Sequence, residues 1–170
     1  MTFSASYTEP GLLQRNVSPS IRFLLDAAMK NYREKEKSEL MLHQAFDMDP
    51  SVLDTYVVYY KFYFYHRLLS EAEEWAYRAL ENAAQQGGFD KNWECLNEDS
   101  AFWDQIDSPE RIYLYSLKAL AFLRMKQGDM KLPRSLLERL EMLDPQDQVG
   151  WSVILQMHTR LSGDGDNDDE

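Results

Sequence analysis

The sequence predicts an all-α protein, a short α-solenoid of about three degenerate helix-turn-helix repeats closed by a C-terminal capping helix. Three observations predict it. Apolar residues recur at helical rather than alternating spacing along most of the chain. Gly (7) and Pro (6) are scarce in the 170 residues, so little interrupts that rhythm. Four dipeptides, Ser18-Pro19, Asp49-Pro50, Ser108-Pro109 and Asp144-Pro145, each set an oxygen able to cap a helix before a proline suited to its first turn.

The elements follow in order. Residues 1–18 show neither helical periodicity nor a basic stretch followed by an apolar block, and are expected to be a flexible N-terminal segment without a signal peptide. Ser18-Pro19 opens a helix predicted over about 19–32, and a turn near residues 31–34 leads to a second over 36–48. Asp49-Pro50 opens a third over 50–68, which turns at Leu69-Ser70 into a fourth over 70–86. Gly87-Gly88 stops the fourth helix, because glycine tolerates the left-handed backbone that ends helices. Ser108-Pro109 opens a fifth over 109–127, Gly128-Asp129 turns it, and a sixth covers 132–143. The last helix, predicted over 145–161, carries Val149, Val153, Ile154, Met157 and Leu161 on one side, as a terminal cap should. The helical domain is therefore 19–161. Residues 162–170 combine Gly, Asn and dense acid and are expected to be a disordered tail.

Between the fourth and fifth helices lies an acidic, aromatic insert, residues 89–108. It holds Phe89, Trp93, Leu96, Phe102, Trp103 and Ile106, too many large apolar groups for a solvated loop. The expectation is that these turn inward and the acids outward, either bracing the edge of the array or covering a groove.

Charge excludes some functions. Net charge is −11, of which the insert and the last seven residues contribute −5 each, leaving the helical body near −1. No basic stripe exists to meet a phosphate backbone, so nucleic acid is not an expected partner. No stretch is long and apolar enough for a membrane helix. One cysteine, Cys95, cannot form an internal disulfide, and the cytoplasm is the expected location.

No catalytic pattern emerges, and no cofactor or metal is expected. His43, His66 and His158 fall in three different predicted helices without ligand spacing. Cys95 sits among Glu94, Glu98 and Asp99, whose charge disfavours its thiolate. Asp164, Asp166 and Asp168 repeat the first positions of a calcium loop, but Asp169 stands where that loop needs glycine.

The repeat signature is more specific. One block has Leu25, Ser38, Leu42, Ala45 and Pro50 at its large and small positions; the next has Tyr56, Tyr59, Tyr63, Ala72, Ala76 and Ala79. The third has Leu117, Leu120, Ala121, Gly128-Asp129, Leu137, Leu140 and Pro145. Ser38 and Ala72 stand 34 residues apart. On these residues the chain resembles the tetratricopeptide-repeat family over about 19–161. It departs from that pattern at Tyr60, Arg124 and Pro133, and its first block lacks the Gly-Asp turn. A second resemblance, carried by residues 56–64, 85–89 and 143–150, is to small repeat proteins accompanying bacterial nitrogen-fixation genes. That one implies a helper in metalloenzyme assembly.

The tetratricopeptide resemblance implies a concave groove that holds a partner's peptide or helix. Its register turns Tyr56, Tyr59, Tyr60 and Tyr63 to the core. It assigns Phe23 and Ala27 to the groove from the first block, Val57, Lys61, Phe64 and Tyr65 from the second, and Tyr115, Lys118, Phe122 and Met125 from the third. The carboxylate clamp of the family's chaperone-binding members does not carry over, because Leu24 and Val58 stand at its positions. Residues 56–65 hold seven aromatics in ten, a density compatible with a strand or with a helix covered on several sides. The Asp49-Pro50 start favours the helix. The expected function is therefore protein binding by an adaptor, chaperone or assembly helper, with no catalysis and at most weak homodimerisation. A self-associating scaffold using the aromatic helix as its interface is the alternative.

Overall fold

Seven α-helices make up the computed structural model, which describes residues 16–163. They are α1 (Pro19–Lys30), α2 (Lys35–Met48), α3 (Leu53–Tyr65), α4 (Leu69–Gly87), α5 (Pro109–Lys126), α6 (Lys131–Leu143) and α7 (Trp151–Gly163). A single 3-10 turn, Trp93–Cys95, lies between α4 and α5, and no strand occurs among the described residues. The aromatic run at 56–65 is helical. The expectations for residues 1–15 and for the tail from 164 lie outside the described residues.

The four proline dipeptides act in two ways. Pro19 and Pro109 stand at the helix starts, and Ser108 Oγ accepts a hydrogen bond from Arg111 N at 3.2 Å. Asp49 and Asp144 instead build turns. Asp49 Oδ1 accepts from Ser51 N at 3.0 Å and from Ser51 Oγ at 2.6 Å. The Asp144 carboxylate accepts from Gln148 N and Val149 N, each at 3.0 Å, and its carbonyl accepts from Trp151 Nε1 at 2.7 Å. A carboxylate that spends its lone pairs on a following turn delays the helix. Helix α3 therefore begins at Leu53 rather than 50, and α7 at Trp151 rather than 145.

Helices α1 and α3 begin 34 residues apart (19 to 53), and so do α2 and α4 (35 to 69). Each pair packs on itself, and α4 packs on α5 as well as α3. The odd-numbered helices also touch in succession, α1 with α3, α3 with α5, and α5 with α7. They form one continuous inner layer, with the even-numbered helices outside it.

Side-chain size explains this stacking. Ala72, Ala76, Ala79 and Ala83 let α4 approach its neighbours closely, and all four are fully buried. Facing them, Tyr59 lies flat on Trp75, ring centroids 3.7 Å apart and planes 8° from parallel. Phe46 meets Tyr56, Tyr59 and Trp75 edge-on, and the Arg78 guanidinium lies 4.0 Å from the Trp75 ring centre. Burying each such ring contributes roughly 2–3 kcal/mol, so this cluster is a main tie between α2, α3 and α4.

The insert braces the outer edge between α4 and α5. Phe89 folds back over Gly87 and contacts both Trp103 and Tyr113, ring centroids 5.0 Å apart in each case. Tyr113 donates from its hydroxyl to Lys91 O at 2.9 Å, and Arg139 of α6 donates to Leu96 O. Trp103 is 7% exposed and Leu96 is buried, as expected, but Phe102 is 74% exposed and Ile106 also faces solvent. The insert's hydrogen bonds and buried rings aim at Tyr113 and α6, which leaves no inward direction for its tip.

Candidate functional site

The helical period of 3.6 residues sorts α3 into faces. Tyr56, Tyr59 and Tyr63 share the face that meets α2 and α4, as the register required. Phe64 turns toward α5, its ring 5.3 Å from that of Phe122. Phe62 turns the other way and contacts His66, whose Nε2 bonds Tyr32 O at 2.6 Å in the α1–α2 turn. Asp54, Lys61 and Tyr65 fall together opposite the tyrosine face, flanked by Val57 and Val58.

The expected groove is only partly open. Phe23 is 71% exposed and stands opposite the buried stripe Ile21, Leu25, Ala28 and Met29, on the solvent-facing side of α1. Val57, Lys61, Lys118, Phe122 and Met125 are all buried, with Lys61 only 3% exposed. Phe64, Tyr65, Tyr115 and Ala27 are half-buried. On α5 the described chain explains the burial: Lys118 Nζ donates to Val149 O at 2.6 Å, and Arg111 bonds Gln148. The connection between α6 and α7 thus lies along the first half of α5.

At the other end of α3 and α5 an open cleft of about 400 Å³ is lined by Phe64, Tyr65, Arg67, Leu69 and Lys126. Lys126 Nζ stands 5.3 Å from the centre of the Phe122 ring, within reach of a cation–π attraction. Sequence reading found the two aromatics and missed the other three residues. Lys126 lay in plain view, one turn beyond Phe122 on the same helical stripe.

Arg67 is held there by unusual backbone. Its φ is +59°, in the left-handed region that favours glycine. Arg67 N donates to Phe64 O and Leu68 N to Tyr63 O, each at 2.9 Å, the double bond pattern that closes a helix. The turn after α5 repeats it, with Gly128 N donating to Met125 O and Asp129 N to Arg124 O, each at 3.0 Å, and there the left-handed residue is Gly128.

A second arrangement, Glu39, His43 and Tyr59, has the order of a proton relay. His43 Nδ1 is 2.5 Å from the Tyr59 hydroxyl, and its Nε2 is 3.6 Å from Glu39. Burial drives the Tyr59 phenol well above its ordinary pKa, and Trp75 covers its ring. A phenol so hard to ionise and so covered ties α2 to α3. Among the described residues no group of three His, Cys, Asp or Glu side chains is placed to hold a metal ion. No described helix is long and apolar enough to cross a membrane.

No family model, curated protein or solved structure matches the chain.

Proposed function

We propose that this chain is a tetratricopeptide-like protein-interaction module that holds a partner's peptide or helix and catalyses no reaction. The reading is carried by the cleft of Phe64, Tyr65, Arg67, Leu69 and Lys126. Two cations line it with two aromatic rings, Lys126 within cation–π distance of Phe122, in a chain whose net charge is −11. Aromatic and aliphatic walls favour an apolar anchor, and Arg67 and Lys126 favour a carboxylate next to it. The ligand class is therefore a peptide carrying a large apolar residue beside Asp, Glu or a C-terminal carboxylate.

A phage-displayed random peptide library panned on the immobilised full chain tests this. The expected winners pair an aromatic or leucine with an acid, and Arg67→Ala with Lys126→Ala lowers their affinity at least tenfold without lowering Tm. Winners without acidic residues, or with affinity indifferent to the double substitution, would overturn the assignment.

A further inference from the structure

Resting on the reading of the cleft as a site for an apolar residue beside an acid, we infer that the insert tip of one molecule docks in the cleft of a second copy, joining the chains head to tail. The tip displays a ligand of that class. Phe102 and Ile106 are 74% and 65% exposed, and Asp104 between them is exposed too. Residues 92–108 hold five acids and no Lys, Arg or His. The cleft is the complement, with Phe64, Tyr65 and Leu69 as walls and the exposed Arg67 and Lys126 as cations. At about 400 Å³ it has room for a phenyl ring.

The tip is held ready by bonds that involve neither exposed side chain. Trp103 Nε1 donates to Asn97 O at 2.9 Å, and Asn97 Oδ1 accepts from Asp99 N at 2.9 Å. Ser108 Oγ, which caps α5, also donates to Gln105 O at 2.9 Å. Gln105 N donates to Phe102 O at 3.3 Å, closing a turn whose ends lie within about 7 Å of each other, and Ile106 follows at once. An apolar pair on an ordered loop loses little freedom when it is bound.

The same bonds keep the tip from its own cleft. The Trp103 ring lies 6.1 Å from that of Tyr113 near the start of α5, whereas Lys126 ends that helix. Tyr113 and Lys126 stand about 20 Å apart along the axis. The contact is therefore between molecules. Tip and cleft are different surfaces, so a dimer joined this way leaves one of each free at its ends. The net charge of −11 on every copy opposes growth and keeps the association weak. An acidic peptide competes for the same cleft, so partner binding and self-association exclude one another.

Sedimentation equilibrium of the full chain tests this. The expected mass exceeds that of the monomer and rises with concentration. Phe102→Ser with Ile106→Ser removes the tip, and Arg67→Ala with Lys126→Ala removes the cations of the cleft. Each double variant alone is expected to be monomeric with an unchanged Tm. Their equimolar mixture is expected to form a dimer and stop there, because only one competent tip and one competent cleft remain. An unaltered chain that stays monomeric to its solubility limit, a mixture that stays monomeric, or a cleft variant that still associates would overturn the inference. Library peptides that bind through Arg67 and Lys126 to a chain that never self-associates would leave the cleft reading standing and remove this one. Association that survives the cleft variant, in a chain that selects no acidic peptide, would remove both.

Discussion

Arg67 and Gly128 hold the same place in two equivalent turns. Each is the left-handed residue that closes a helix of the inner layer, after α3 and after α5 respectively. Only one of the two is the residue that this backbone favours. An arginine there costs about 1 kcal/mol relative to glycine, and its side chain lines the open cleft. Local strain beside an open cleft accords with the role proposed for this side chain rather than with a role in the fold.

Arg67→Gly is therefore expected to keep or raise thermal stability, by up to about 1 kcal/mol, while weakening binding of acidic peptides. Melting followed by circular dichroism and peptide titration on the same variant check the two halves. A destabilised variant would show that the guanidinium serves the fold.

Alkaline pH should unfold the protein early. Burial, with help from the negative charge of Glu39, pushes Tyr63 up to about 12 from an ordinary value of 10.0. Burial raises Tyr59 and Tyr113 further in the same direction. A phenol whose folded pKa is raised gives its full contribution to stability below pH 10. That contribution falls as pH climbs through the folded values, because the unfolded chain loses the proton first. Exposed phenols ionise first, and the further phenolate absorbance of the buried ones should come together with loss of helix between pH 10 and 12. A chain that stays helical through pH 12 would contradict this.

Gly87→Ala tests the insert. A Cβ at Gly87 would collide with the ring of Phe89, which is wedged between Trp103 and Tyr113. Better helix propensity gains at most about 1 kcal/mol. Evicting Phe89 costs about 1–3 kcal/mol by overpacking and weakens two ring pairs. The net expectation is a loss of about 1–2 kcal/mol in denaturant melts, with Trp103 emission shifted toward that of a wetter indole. A more stable variant with unchanged emission would mean that Phe89 moves aside freely.

Much of the fold could be read because it is written locally. Ser18-Pro19, Ser108-Pro109, the paired glycines at 87–88 and the alanines of α4 state helix starts, stops and contacts within a few residues of themselves. Asp49-Pro50 and Asp144-Pro145 misled because Asp can satisfy a turn as readily as a helix, and the choice lies in lone pairs rather than spacing. The site was half legible. Phe64 and Tyr65 follow from helical register, whereas Arg67 sits in a turn, where register says nothing about direction. Phe23 is exposed, because its helix buries the stripe through Leu25 and Met29, and it does not line the cleft. Phe122 was expected to be a free groove wall, yet it is 3% exposed, so its truncation would cost stability as well as binding.

The insert has a mechanical consequence. Phe89, Lys91, Leu96 and Trp103 rivet the second helix pair to the third through Tyr113 and Arg139. Among the described residues the first pair joins the rest by the aromatic cluster, the His43–Tyr59 and His66–Tyr32 bonds and the touch of α1 on α3, with no insert between. The array is thus stiff on one side of α3 and compliant on the other, like a door with a single hinge post. Thermal motion that parts the inner layer should swing α1 and α2 as one leaf while α4, α5 and α6 move as a block. Amide exchange under native conditions should then be faster throughout α1 and α2 than in α5, and uniform exchange across the three would argue for an array of even stiffness.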